Sequence, residues 1–144
     1  MYNFSMNKIL IADDTKSWLV FHEATIRNIF GNYFEITTAG CAKEALNIAK
    51  RNAANPFGII ITDLQMENDF EPLPAGEWLV ERIQELKEYS NSKIIIISAM
   101  YNIETVAKKH NVECISKNML VRNELLLKFM FEKLMPFLSE IELN

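Results

Sequence analysis

The chain has 144 residues, of which 49% are hydrophobic and 24% charged, with a formal net charge of −4. A single domain of this size buries roughly 68–70% of its unfolded surface, and the composition is that of an ordinary soluble globular protein. An acidic chain without a Lys/Arg-rich block is not expected to bind nucleic acid, no apolar run approaches the ~20 residues of a membrane span, and the N-terminus lacks the charged head and apolar stretch of a signal peptide, so a cytoplasmic location is expected.

Residues 1–6 read as an extension ahead of a domain over 7–138, with 139–144 as a tail. The first strand-like run, Lys8-Ile9-Leu10-Ile11-Ala12, stops at Asp13 and Asp14, and a helical stretch over 15–30 follows. Gly31-Asn32 punctuates the join to a weaker strand over 34–38. The next helix, 42–54, repeats Ala42, Ala45, Leu46 and Ala49 at helical spacing. After Asn55-Pro56 the run Gly58-Ile59-Ile60-Ile61-Thr62 stops at Asp63, and Leu79, Ile83 and Leu86 mark a helix over 76–89. Ser90-Asn91-Ser92 leads into Lys93-Ile94-Ile95-Ile96-Ile97, which stops at Ser98. A short helix over 102–110 precedes Val112-Glu113-Cys114-Ile115-Ser116, which stops at Lys117. One last helix is predicted over 119–135, with Leu126, Met130 and Leu134 as its core stripe, widened by Leu127 and Phe131. Leu125 and Phe129 fall beside the charged row Glu124, Lys128 and Glu132, either packing under Pro136-Phe137-Leu138 or forming a patch for a homodimer or an effector. Nothing after this helix is long enough for an output domain, so the chain is either a stand-alone module or an excised one.

Strands alternating with helices predict an α/β fold with a doubly wound, five-stranded parallel sheet covered on both faces. The isoleucine-only strand interiors agree, because a strand buried on both sides reads as continuously apolar. Right-handed crossovers place every strand's carboxyl end on one side, where ligands of open α/β sheets bind. In the flavodoxin-like order 2-1-3-4-5, the topological switch lies between the strands that deliver Asp13, Asp14 and Asp63.

Three carboxylates and one lysine sum to −2, which calls for a counter-ion. A hard, oxygen-seeking Mg²⁺ fits, since it uses few protein carboxylates and keeps waters and phosphate oxygens. With the cation present a phosphoryl group is no longer repelled: Ser98 can hydrogen-bond one of its oxygens and Lys117 can pair with another. Asp63 is the natural nucleophile, since carboxylates form aspartyl phosphates. Each residue also has a plain reading. Asp13-Asp14-Thr15 fits a helix N-cap, Asp63 a loop start, Ser98 a turn and Lys117 a solvated surface. Cys41 and Cys114 lack C-x-x-C spacing and read as reduced thiols. His22 and His110 have no ligand at sequence spacing and read as surface or capping residues.

The stretch from Asn7 to about Pro136 resembles the receiver domain of two-component response regulators, through Lys8-Ile9-Leu10-Ile11-Ala12-Asp13-Asp14, Ile61-Thr62-Asp63-Leu64-Gln65-Met66, Ile97-Ser98-Ala99 and Ile115-Ser116-Lys117. The resemblance implies that Asp63 accepts a phosphoryl group from a sensor histidine kinase or a phosphotransfer protein. It implies Mg²⁺ held by Asp14 directly, Asp13 mostly through water, Asp63, and Gln65 through its backbone carbonyl. Ser98 and Lys117 would hold the phosphate, and the output would be a changed binding surface rather than enzymatic turnover. A phosphatase of the haloacid dehalogenase type would want Asp-x-Asp after the first strand, which Asp13-Asp14-Thr15 does not supply. A receiver-shaped interaction module independent of phosphorylation is the other alternative.

The chain departs from the family pattern in three places. An insertion from Glu67 to Ala75 precedes Gly76, either as tolerated loop lengthening or as a partner-specific lip carrying Phe70 and Leu73. Asn118 follows Lys117 where the family commonly has proline, and a trans Lys117–Asn118 bond is expected because the cis form costs ~2.5–4 kcal/mol. Cys114 replaces the family's switching aromatic. Met100, two residues beyond Ser98, cannot position an attacking water, so a slowly hydrolysing aspartyl phosphate is expected.

Overall fold

The computed structural model describes residues 7–66 and 74–141. Five strands, β1 (Lys8–Ala12), β2 (Glu35–Ala39), β3 (Ile59–Thr62), β4 (Lys93–Ser98) and β5 (Glu113–Ser116), alternate with helices. The helices are α1 (Lys16–Phe30), α2 (Ala42–Arg51), α3 (Ala75–Gln84), α4 (Ile103–His110), α5 (Lys117–Arg122) and α6 (Leu125–Leu134), and short 3₁₀ turns cover Lys87–Tyr89 and Pro136–Glu140. All pairings are parallel and the order is β2-β1-β3-β4-β5. The expected extension, most of the insertion with Phe70 and Leu73, and the end of the tail lie outside the described residues. Among those described, no helix is long and apolar enough to cross a membrane.

The isoleucine runs are explained by the pleat, which sends successive side chains to opposite faces. Leu10, Ile60 and Ile96 pack into the layer containing α2, α3 and α4. Ile9, Ile11, Ile59, Ile61, Ile95 and Ile97 pack into the layer of α1, α5 and α6. The three central strands therefore have no polar face, whereas edge strand β2 keeps exposed positions, which is why its sequence run is weaker. Register fixes the site edge: Ala12 pairs with Thr62, Thr62 with Ile96, and Ser98 with Ser116.

The predicted single last helix is two. Asn123 is extended, with φ −148° and ψ 91°, between α5 and α6, and its Oδ1 accepts a hydrogen bond from the Leu125 N–H at 3.2 Å. Asparagine side chains compete for local backbone groups in this way. The core stripe also differs from the expected one. Leu127 and Phe131 are fully buried, together with Leu120, Met135 and Leu138, while Leu126, Met130 and Leu134 are only partly covered. In so apolar a segment periodicity cannot fix the phase; aromatic packing does, because Phe131 stacks on Phe30 at 5.5 Å and meets Phe34 edge-on at 5.5 Å. Leu125 and Phe129 are about half exposed. The helix expected over 76–89 likewise ends at Gln84, with a separate turn over Lys87–Tyr89.

This phase has an energetic consequence. Phe131→Ala should cost about 3–5 kcal/mol and Leu127→Ala about 2–5 kcal/mol, whereas Phe129→Ala should stay within about 0.5 kcal/mol. Urea unfolding midpoints of the three variants check this, and equal losses at Phe129 and Phe131 would contradict it.

Candidate functional site

At the carboxyl edge of the sheet the strand ends keep their ladder for one more residue. The Asp63 N–H donates to Ala12 O at 3.0 Å, and the Asp13 N–H donates to Ala39 O at 3.1 Å. Both carboxylates are thus anchored by main chain at the switch point. Asp13 turns back on the start of α1, its Oδ1 accepting from the Thr15 N–H at 2.9 Å. Thr15 occupies the N-cap position but makes no side-chain cap bond, so neither it nor Asp14 caps the helix through its side chain. Asp14 is exposed at the mouth of the site.

Asp63 is 7% exposed, and its two oxygens are used differently. Oδ1 accepts from the Leu64 N–H at 2.7 Å and the Gln65 N–H at 3.3 Å. Oδ2 accepts from Lys117 Nζ at 2.8 Å. The same ammonium stands 2.9 Å from Asp13 Oδ2. That second contact is an ion pair without hydrogen-bond alignment, so Asp13 Oδ2 is buried with no hydrogen-bond donor. Ser98 is 1% exposed, and its Oγ accepts from the Met100 N–H at 3.3 Å. Asp63, Gln65, Ser98, Met100 and Lys117 share an open cavity of about 450 Å³.

Electrostatics follow from burial and pairing. Burial pushes the Asp13 carboxyl above its ordinary value, and the adjacent Lys117 ammonium only partly offsets this. Burial alone would pull the Lys117 ammonium down; its hydrogen bond to Asp63 and its ion pair with Asp13 outweigh that and hold it above the usual lysine value. Lys117 is therefore a fixed positive charge at neutral pH.

All the predicted site residues meet here. One carboxylate oxygen from each of Asp13, Asp14 and Asp63 lies within 4.8 Å of the others. An all-oxygen set with one unsatisfied buried carboxylate oxygen fits a hard divalent cation such as Mg²⁺. Gln65 lines the adjoining cavity together with Asp63 and Lys117. Lys117 opens α5 and Asn118 continues that helix. Cys114 is half-buried and free, with its thiol pushed up by burial.

The neighbourhood contains residues that the sequence reading missed or misplaced. Trp18, one turn into α1 from the Asp13-Asp14 pair, lies with its ring 4.7 Å from Lys117 Nζ, a cation–π contact. His22 is neither surface nor cap: it is 1% exposed, its ring sits 5.5 Å from that of Trp18, and Nδ1 has no partner. His110 likewise meets carboxylates that no sequence spacing links to it, as described below. Gly76 is required for a steric reason, since a Cβ there would stand 1.9 Å from Asp63 O. Any side chain would push the backbone that carries the nucleophile candidate.

No protein-family model matches the chain, and no curated protein matches it in sequence. Solved structures do match. A CheY-like response regulator receiver domain protein from Methanospirillum hungatei JF-1 is similar over 94% of this chain and 98% of its own, with 21% identity and a TM-score of 0.67. The chemotaxis response regulator CheY4 of Vibrio cholerae is similar over 76% of this chain and 83% of its own, with 22% identity and a TM-score of 0.60. The isolated receiver domain of RcsB from Salmonella enterica serovar Typhimurium, determined in the presence of the phosphomimetic BeF3-, is similar over 81% of this chain and 79% of its own, with 19% identity and a TM-score of 0.63. The chain therefore has the flavodoxin-like fold of response-regulator receiver domains.

The buried histidine gives a stability prediction. Burial lowers the His22 pKa to about 4 from its ordinary 6.5. Between those values the unfolded chain binds a proton that the folded chain does not, so stability rises with pH across this window and falls as pH drops through it. Going from pH 7.5 to 5.5, above the carboxylate range, His22 should contribute a loss of about 1.3 kcal/mol. Urea unfolding at the two pH values should show this loss reduced by that amount in His22→Leu; an unchanged pH dependence would contradict the assignment.

Proposed function

We propose that the protein is a phosphoaccepting receiver domain that takes a phosphoryl group from a sensor histidine kinase or phosphotransfer protein onto Asp63, in a Mg²⁺-dependent reaction in the cytoplasm. The observation that carries this reading is the position of Asp63, with one oxygen held by main-chain N–H groups and the other on Lys117, beside Asp13, Asp14 and Ser98.

In this reading an Asp63 carboxylate oxygen attacks phosphorus. The new O–P bond forms as the N–P bond of the donor phosphohistidine breaks, and the imidazole nitrogen keeps the bonding pair. Asp63 Oδ2 is the better-placed nucleophile, because Oδ1 is committed to the Leu64 and Gln65 N–H groups, which fix the plane of the carboxylate. Lys117 must then shift from Asp63 Oδ2 to an oxygen of the incoming phosphoryl group, remaining ion-paired with Asp13. Ser98 Oγ needs only to turn from the Met100 N–H to donate to another phosphoryl oxygen. Mg²⁺ held by Asp13, Asp14, Asp63 and the Gln65 carbonyl would supply the charge neutralisation that phosphoryl transfer requires. The chain acts as acceptor rather than turnover catalyst, and the output is an altered binding surface. Half-exposed Leu125 and Phe129 support a homodimer or effector contact on α6. With Cys114 in place of a switching aromatic, the change at Ser98 must reach that surface through the Ala99–Met100–Tyr101 segment, which lines both the site and the neighbouring 680 Å³ cavity that Phe129 helps to form.

Incubation with Mg²⁺ and acetyl phosphate, read by intact mass, tests this. One hydroxylamine-labile phosphoryl group per chain is expected, absent in Asp63→Ala, strongly slowed in Lys117→Ala, and shorter-lived in Met100→Glu than in the parent. An unmodified parent chain, or modification that persists in Asp63→Ala, would overturn the reading.

A further inference from the structure

We propose that Glu77, Glu81 and His110 form a second metal site, for a transition-metal dication of the zinc class, that ties α3 to α4. Glu77 and Glu81 are four residues apart and share one face of α3, and His110 is the last residue of α4. Each offers one ligand atom, and the three atoms lie within 4.8 Å of one another. Two carboxylates and an imidazole form a borderline N/O set, which favours zinc-class ions over the hard cation suited to the aspartate cluster.

The site is built rather than incidental. The side chains of Glu77 and His110 are only 7% and 8% exposed. Burial alone would raise the Glu77 carboxyl, but hydrogen bonds from His110 and Lys109 outweigh it and hold the group below the ordinary value, ionised at neutral pH. The Gln84 side-chain amide donates to the His110 carbonyl at 2.9 Å, fixing the end of α4 against α3, and Asn111 ends the helix with φ 57°. Glu81 divides its oxygens, with Oε1 3.5 Å from Arg82 and Oε2 3.9 Å from His110 Nε2.

Two adjustments admit the ion. Lys109 Nζ, 3.1 Å from Glu77 Oε2 on a side chain that is 61% exposed, moves to solvent. His110 Nε2 and Glu77 Oε2, now 2.6 Å apart, separate to about 3.3 Å, the spacing of ligand atoms on a tetrahedral ion with bonds near 2.05 Å. His110 then binds through Nε2 as a neutral imidazole, and water completes the coordination. Occupancy would pin α4, the helix that follows Ser98, to α3. This assignment does not depend on phosphorylation of Asp63.

Isothermal titration of the full chain with ZnCl2 in excess Mg²⁺ tests it. One Zn²⁺ per chain is expected. Affinity should fall at least tenfold in His110→Asn and in Glu81→Gln, and should be unchanged in Asp14→Asn. Glu81 is partly exposed, so Glu81→Gln decides the matter even if His110→Asn fails to fold. No saturable binding, equal affinity in Glu81→Gln, or loss of binding in Asp14→Asn would overturn the proposal.

Discussion

The architecture of the site depends on one buried ammonium shared by two buried carboxylates. Lys117, Asp13 and Asp63 are each under a tenth exposed, and a charge taken out of water is costly unless it is paired. Lys117 contacts both acids within 3 Å. Removing Lys117 strands two negative charges in the interior, so the three strand ends are held in mutual register by electrostatics as well as by main-chain bonds. With Asp14, exposed at the mouth, the cluster holds three carboxylates and one ammonium, a net charge of −2. The result is a tight, anionic, oxygen-lined pocket with a lysine already inside it.

The sheet makes this arrangement possible by being apolar elsewhere. With β1, β3 and β4 buried on both faces, polar groups can be accommodated only where strands end, and parallel pairing brings those ends together. Gly76 adds a constraint from outside the sheet, since the first turn of α3 passes so close to Asp63 that only hydrogen fits. Its N–H donates to Leu64 O at 2.9 Å, joining the helix to the loop that follows the Asp63 carboxylate. Trp18 packs its ring against the Lys117 ammonium.

The strands and the residues ending them were legible in the sequence, because β-branched runs and terminal polar groups are local signals. Alternation and handedness predict the parallel sheet, whereas the order 2-1-3-4-5 is that of the flavodoxin-like pattern and the structure has it. The division of the last helix was not legible: Asn123 is one polar residue in an apolar segment, and its extended conformation is settled by its own side-chain bond to Leu125. The buried face of α6 was misjudged for a similar reason, since apolar residues flank its charged row on both sides and packing on Phe30 and Phe34 selects Phe131. His22 and His110 were misplaced because their surroundings are contributed by other elements or by burial itself. No spacing rule joins Glu77 to His110 across 33 positions. Local chemistry can be read along a chain, but partnership across packed helices has to be seen in the fold.

The central claim, that three remote carboxylates and Lys117 make one cation-binding pocket, is tested most directly through Trp18. The chain has two tryptophans, so Trp78→Phe leaves Trp18 as the reporter beside the Lys117 ammonium. Titration with Mg²⁺ should give a saturable change in Trp18 emission, abolished in Trp78→Phe carrying Asp14→Asn. Emission that stays flat through millimolar Mg²⁺, or a change that survives loss of the Asp14 carboxylate, would contradict the account.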